Sequence, residues 1–210
     1  MKKDKEYFIN WLEKIAQKIA LIKESQKNYE LYTQKNIEEK IELFKSHFKY
    51  WVRYNYEFSL VINLSAIIEN RSFRYADDLN FPKFLNEFSI FYNAHKEELM
   101  DTLINDKPQY FTDFNHPEIK VPLDDNDLIE QERIKTIRNI FSNLNIQKDI
   151  EDLKKLFLKL KTMRDKNFAH FTSFDKEINL THKDLDIIAT KVIEIFDNYA
   201  FILKNTTYCF

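Results

Sequence analysis

The sequence of 210 residues contains no glycine, although a protein of this length has about 15 on average. Without glycine the chain cannot build a Gly-rich phosphate loop, a dinucleotide-binding fingerprint or a nucleophile elbow. Tight hairpins that need a positive φ are also disfavoured. Helices do not need glycine, because asparagine can replace it at a C-terminal cap. The missing glycine therefore excludes several enzyme classes and argues against an antiparallel β protein.

Cysteine and long apolar segments are also scarce. Cys209 is the only cysteine, so no internal disulfide can form, which fits a reducing cytosol. No apolar run reaches the length of a membrane span, and the first residues, MKKDKEYF, lack the apolar stretch of a signal peptide. The net charge of −2 does not indicate a nucleic-acid binder held by overall charge. We therefore expect a cytoplasmic protein without a membrane segment.

Apolar residues recur at three- and four-residue spacing along most of the chain, which is typical of amphipathic helices. These patterns predict helices over residues 5–26, 36–69, 81–105, 127–143, 149–170 and 182–204, the last with Thr181 and Asp184 as its cap. The sequence thus predicts an all-α fold, an antiparallel bundle of five to six helices joined mostly by short connections. We expect one domain over residues 1–210.

Polar residues mark the starts of several of these helices. Asn36 with Glu39 is a capping-box pattern, and Asn80 comes shortly before Pro82, a residue suited to the first helical turn. Residues 106–127 contain three of the four prolines. We predict that this segment is an irregular connector, and long connectors are often functional.

The end of the predicted helix 149–170 carries an unusual polar strip. Its apolar stripe, Leu153, Leu156, Leu160 and Met163, continues at the same spacing to Asn167 and His170. Arg164, Asn167 and His170 follow one another at three-residue steps, each of which turns back about 60° on a helix. Polar groups on an otherwise apolar face need partners or water. The strip therefore predicts a pocket, interface or site, although a histidine here could also simply cap the last carbonyl groups.

The string RDKNFAHF at 164–171 resembles the Rx4–6H signature of HEPN domains. With Asp165 directly after the arginine and Ala169 before the histidine, it is similar to abortive-infection members of that superfamily. The segment HFKYWVRYNYEFSLVINLSAIIENR has the helix order expected of that branch. The resemblance spans roughly residues 40–200, and it implies a HEPN-like core over about 36–204.

This resemblance implies a metal-independent endoribonuclease without a cofactor, in which the RNA 2′-hydroxyl attacks the adjacent phosphate. His170 would be the general acid or base, and Arg164 would stabilise the charge on the phosphorane. Asp165 and Asn167 would orient His170 or the phosphate. Arg164 and His170 lie about 120° apart on one straight helix, so one protomer does not obviously close the site. Family members are typically homodimers whose motifs meet at the two-fold axis.

The resemblance further implies a toxin or phage-defence effector that acts on RNA and is neutralised by an antitoxin, often a nucleotidyltransferase-like protein. A second hypothesis is a HEPN-like helical bundle without catalysis that serves as a binding or assembly module, because a fold alone does not establish activity. A third is an interaction protein unrelated to HEPN, in which the polar strip is only a capped helix end.

Other clusters favour structural interpretations. The acidic run Asp124, Asp125, Asp127 and Glu130 lacks the glycine of a calcium loop and is interpreted as the start of a helix. His95 and Glu98 share a helix face without the tetrad of a di-metal centre. Tyr50, Trp51, Arg53, Tyr54 and Tyr56 could form a stacking and phosphate patch. We predict instead that these aromatic residues pack the long helix, with Arg53 paired or solvated.

Overall fold

The computed structural model describes residues 3–34, 45–69, 80–106, 110–112, 120–122, 127–165 and 181–205. These residues form six α-helices and two short β-strands. The helices are α1 (Lys5–Gln34), α2 (Lys45–Ile68), α3 (Phe81–Asn105), α4 (Asp127–Asn143), α5 (Ile146–Met163) and α6 (His182–Lys204). The strands are β1 (Tyr110–Thr112) and β2 (Lys120–Pro122). The all-α helical bundle predicted from the sequence is confirmed.

The core lies where the apolar stripes of the helices meet, and its centre is aromatic. Phe84 and Phe88 of α3 stack in parallel with ring centroids 5.6 Å apart. Phe8 of α1 lies 5.5 Å from Phe88, and Tyr199 of α6 meets Phe88 edge to face at 5.6 Å. All four side chains have no exposed surface. Burying aromatic rings in this way stabilises the contacts among α1, α3 and α6.

The helix ends follow the polar signals in the sequence. Asn80 Oδ1 accepts a hydrogen bond from the backbone N–H of Lys83 at the start of α3. Thr181 and Asp184 form a capping box at the start of α6. That helix ends at Asn205, whose φ of 52° is left-handed. Asparagine thus takes the position that glycine most often occupies at a helix C-terminus.

Two predicted helix boundaries are corrected by the structure. The first helix does not end at residue 26 but continues to Gln34. Its added turns bring Tyr29 onto Tyr56 of α2, with parallel rings 4.1 Å apart, so tertiary packing stabilises a polar segment. The helix predicted from residue 149 begins at Ile146, because Asn145 caps it. The predicted cap at residues 36–39 lies outside the described residues.

The connector 106–127 is not wholly irregular, contrary to the prediction. Strand β1 pairs with β2 in an antiparallel ladder, with Tyr110 opposite Pro122 and Thr112 opposite Lys120. Aromatic and β-branched residues favour the extended conformation. Pro122 is compatible with the pairing because, in a two-stranded sheet, each strand is an edge strand.

A buried arginine joins α4 to the end of α3. Arg133 is 2 % exposed and donates to the carbonyl oxygens of Leu103 and Ile104 at 3.0 and 2.6 Å. Its guanidinium also bonds to both carboxylate oxygens of Glu130. These two carbonyl groups lie at the C-terminus of α3, where no later N–H group of the helix is available to bond with them. Arg133 therefore fixes the angle at which the chain re-enters the bundle after the connector.

The buried carboxyl of Asp197 predicts a pH effect on stability. Burial raises the pKa of Asp197 to about 6, against an opposing effect of Lys23, and its Oδ1 has no hydrogen-bond partner among the described residues. The folded state therefore binds more protons than the unfolded state between about pH 4 and pH 6, and stability falls as the pH rises through that window. We expect Asp197→Asn to stabilise the protein by about 1–2 kcal/mol at pH 7 and to have little effect near pH 4.

Urea unfolding at the two pH values checks this expectation. The matched control is Asp101→Asn, which removes an exposed carboxylate from α3 and should change the free energy of unfolding by less than about 0.5 kcal/mol. An equal effect of Asp197→Asn at both pH values would show that the carboxyl does not titrate in this window.

Candidate active site

The predicted catalytic arginine lies directly after the last residue of α5. The buried side chains of Leu153, Leu160 and Met163 hold this helix in the core. Arg164 keeps helical dihedral angles, φ −58° and ψ −52°, and its backbone N–H donates to carbonyl oxygens of the preceding turn. The position of its side chain is therefore set by a well-packed helix.

Two carboxylates hold the guanidinium of Arg164. Its Nη1 lies 2.6 Å from Oε2 of Glu69, at the end of α2. Its Nε donates to Oδ1 of Asp165 at 3.0 Å, and Nη2 lies 3.0 Å from the same oxygen. The side chains of Arg164 and Glu69 are only 19 % and 17 % exposed. These charge-assisted contacts join the ends of α2 and α5 and fix the orientation of the guanidinium.

The surroundings keep Arg164 charged. Partial burial acts to lower the pKa of Arg164, but the hydrogen bonds and charges of Glu69 and Asp165 outweigh that effect and raise the pKa above its ordinary value. The guanidinium also lies over the ring of Phe157, 5.8 Å from the ring centroid, in a cation–π contact. The site thus presents a permanent, oriented cation.

This arrangement leaves the arginine able to bind an anion. A guanidinium carries five N–H donors, and the contacts with Glu69 and Asp165 engage three of them, one on each nitrogen. The other donors suit two oxygens of a phosphate. The three side chains together carry a net charge of −1, so the two carboxylates offset part of the attraction of the guanidinium for a phosphate.

The structure brings together only part of the predicted site. Arg164 and Asp165 are in contact, whereas Asn167 and His170 lie outside the described residues. Sequence reasoning missed Glu69. That residue is 95 positions from the arginine, and no local motif marks it, because only the packing of α2 against α5 brings the two together.

Of the clusters set aside from the sequence, His95 and Arg53 have ordinary partners, whereas Asp124 and Asp125 lie outside the described residues. His95 Nδ1 lies 2.8 Å from Oε2 of Glu98, and Arg53 Nε donates to Glu57 at 2.7 Å. Within the described residues, no group of three or more His, Cys, Asp or Glu could hold a metal ion. The prediction that Arg53 is paired is confirmed.

The packing predicted for the neighbouring aromatic residues is partly wrong. Tyr56 is buried, but Tyr50 is 53 % exposed and Trp51 59 % exposed. Both lie on the N-terminal part of α2.

A cavity of about 730 Å³ lies between α1, α2 and α6, away from Arg164. Three of its polar lining groups bond to one another, since Asp186 accepts from both the Tyr56 hydroxyl and Gln26 Nε2. We interpret it as a crevice between helices and not as the centre of the chemistry.

The bundle and the arginine at the end of α5 define the class of protein: a HEPN domain of the abortive-infection type. A family model, HEPN_AbiU2, described as AbiU2, matches residues 5–209. The chain therefore belongs to the HEPN AbiU2 family. Neither the curated proteins nor the solved structures that were compared include a match. In the described part of the chain, no helix is long and apolar enough to cross a membrane.

Proposed function

We propose that this chain is a metal-independent endoribonuclease that acts in the cytoplasm as a toxin or phage-defence effector. Membership of the HEPN AbiU2 family supports a role in abortive infection. The observation that carries the enzymatic part is the charged guanidinium of Arg164, which two carboxylates hold in a fixed orientation. A purely surface-exposed arginine would have no such constraint.

Every role in the proposed reaction is assigned to a side chain of this chain. The RNA 2′-hydroxyl attacks the adjacent phosphorus, and the bond from phosphorus to the 5′-oxygen of the next nucleotide breaks. The 2′-hydroxyl loses its proton and the leaving 5′-oxygen gains one. His170 would act as the general base or the general acid in these transfers, because an imidazole has a reference pKa of about 6.5. Arg164 stabilises the negative charge that develops on the phosphorane oxygens. Asp165 bonds to Arg164, so we assign it the role of positioning the arginine, and we assign Asn167 to the phosphate or to His170.

We further propose that the active species is a homodimer with a composite cleft. Arg164 and His170 would lie about 120° apart on one straight helix, so a single protomer does not obviously close the site. A second copy placed at the same cleft adds its own arginine and histidine. We expect any antitoxin to be a nucleotidyltransferase-like protein, and it would act by blocking access to this cleft.

Glu69 provides a specific prediction for the enzyme. Glu69→Ala is expected to lower kcat for RNA cleavage about 10- to 100-fold, since the guanidinium loses the partner that orients it. Glu69→Gln should lose less, because the amide oxygen still accepts a hydrogen bond. Single-turnover cleavage of total bacterial RNA measures both variants. Equal activity of Glu69→Ala and the wild type would contradict a positioning role.

The alternative, a non-catalytic binding or assembly module, has one observation in its favour. The ion pair between Glu69 and Arg164 joins α2 to α5, and such a pair could serve structure alone. Expression in bacteria distinguishes the two functions. Growth arrest by the wild type that His170→Ala relieves supports the enzyme, whereas harmless overexpression of a folded wild-type protein supports the module.

A further inference from the structure

Aromatic side chains are concentrated on the surface of the first half of α2. We call five of them, Phe48, Tyr50, Trp51, Tyr54 and Phe58, the α2 aromatic platform. Tyr50 and Trp51 are more than half exposed, Phe48 and Phe58 are 37 % and 39 % exposed, and Tyr54 is half-buried. Every other exposed large apolar side chain in the described part of the chain is aliphatic. Exposed aromatic rings thus distinguish this segment from the rest of the described surface.

The rings of the platform lie nearly parallel to one another along the helix. The ring centroid of Tyr54 is 6.2 Å from that of Tyr50 and 6.3 Å from that of Phe58, with angles of 22° and 15° between the ring planes. Trp51 and Phe48 form a second pair, 6.0 Å apart at 17°. Exposed flat rings in such a row offer surfaces on which the unpaired bases of a single strand can stack.

The charge of the same segment suits a phosphate backbone. Residues 45–56 contain two lysines and one arginine but no aspartate or glutamate, in a chain whose net charge is −2. Arg53, one turn after Tyr50, is exposed and has N–H donors besides the Nε that bonds to Glu57. Cations beside exposed rings are the combination with which proteins bind single-stranded nucleic acid. A helix of a partner protein would not need this excess of positive charge.

The platform lies on the side of α2 that leads to the candidate active site. Glu69, whose carboxylate holds Arg164, comes 18 residues after Trp51, which is about five full helical turns. The helical geometry reaches that far, because the backbone N–H of Glu69 still donates to the carbonyl oxygen of Ser65. The side chains of Trp51 and Glu69 therefore leave α2 in the same direction, about 27 Å apart along its axis.

We propose that the α2 aromatic platform binds unpaired bases of a single-stranded RNA whose sugar–phosphate backbone continues to Arg164. This proposal rests on the proposed function, because RNA is the substrate of the proposed ribonuclease. A strand rises about 3.4 Å per nucleotide when stacked and roughly twice that when extended, so Trp51 holds a base about four to eight nucleotides from the bond that is cut. Since every base has a flat face, the platform selects unpaired strands and not a particular sequence.

Tryptophan fluorescence tests the stacking without any assay of cleavage. The probe is a 2′-O-methyl uridine strand of about 20 nucleotides, which lacks the 2′-hydroxyl that the proposed reaction needs. The chain has two tryptophans, and the other one, Trp11, is only 2 % exposed, so a base stacks on Trp51 alone. We expect the probe to quench the emission of the wild type. Trp51→Phe should remove the quenching and leave the affinity nearly unchanged, because phenylalanine still stacks. Unquenched emission at high probe concentration would overturn the proposal.

Removal of the two most exposed rings gives an independent test. Tyr50→Ala combined with Trp51→Ala is expected to weaken binding of the probe at least about 10-fold, with circular dichroism showing that the variant is folded. Ile90→Ala on α3, where the native side chain is 76 % exposed, should leave the affinity unchanged. A strand of equal length built from abasic units should bind the wild type and the double variant equally, because it offers charge without bases.

The outcomes separate the platform from the ribonuclease. A folded double variant that binds the uridine strand like the wild type but loses self-association in analytical ultracentrifugation would overturn the proposal and assign the platform to a protein contact. Equal losses of affinity for the uridine and abasic strands would also overturn it, since stacking would then contribute nothing. A wild type that binds the probe with quenching but cuts no RNA would count against the ribonuclease and leave the platform standing.

Discussion

Replacing Arg164 with alanine is expected to slow RNA cleavage by about two to three orders of magnitude. A donor that stabilises charge in a transition state typically contributes that much, and this arginine is already charged and oriented by Glu69 and Asp165. His170→Ala should lose about two to four orders of magnitude, since it removes the group that moves the proton. Arg164→Lys should recover only part of the rate, because an ammonium group cannot bind two phosphate oxygens with a planar fork.

Single-turnover rates with a defined RNA measure these effects. The matched control is Lys161→Ala, which removes one exposed positive charge from the last turn of the same helix and should change the rate less than threefold. Arg164→Ala leaves Glu69 without this partner, so circular dichroism must show that the variant is folded. A folded Arg164→Ala variant with the wild-type rate would remove the arginine from the mechanism.

Truncating the centre of the aromatic core is expected to have the largest effect on stability. Phe84→Ala should lower the free energy of unfolding by about 3–5 kcal/mol, because it leaves a cavity and removes a fully buried ring. Phe84 is 0 % exposed and lies within 6.1 Å of the rings of Phe8, Phe88 and Tyr199. A whole domain is stable by only about 5–15 kcal/mol, so this loss approaches unfolding.

Urea unfolding with an extrapolation to water measures the effect of Phe84→Ala. Ile90→Ala on the same helix is the control, since the native side chain is 76 % exposed and its loss should change stability by about 0.5 kcal/mol at most. A similar small change for both variants would mean that α3 does not pack through its aromatic face.

The parts of the fold that the sequence predicts well are those determined by local chemistry. The start of α3 at Asn80 and the capping box of Thr181 with Asp184 depend on contacts three residues apart, and such contacts leave a recognisable pattern. The positions of the helices follow from the helical periodicity of the apolar residues, and a single sequence shows this pattern as well.

The parts that the sequence does not predict depend on contacts between residues that are far apart in the sequence. The last turns of α1 are polar by themselves and become helical where Tyr29 stacks on Tyr56 of another helix. Trp51 is 59 % exposed, because the way α2 packs on the other helices decides which of its large side chains are covered. Both features belong to tertiary packing, which overrides local propensity.

The sequence likewise predicts one part of the candidate site and not the other. The string at 164–171 marks Arg164 because family resemblance and helix spacing both point to it. Glu69 could not be found, since an acid after the apolar part of a helix is common and its partner is 95 positions away. Only the crossing of α2 and α5 shows that the arginine has two carboxylate partners.

The most direct test of the ribonuclease is cleavage of total bacterial RNA by the purified chain in the presence of EDTA, with wild type, Arg164→Ala and His170→Ala compared at equal concentration. We predict that the wild type cuts without a metal ion and leaves 2′,3′-cyclic phosphate ends, and that both variants lose this activity. Equal residual cutting by all three proteins, or no cutting by a folded wild-type dimer, would contradict it.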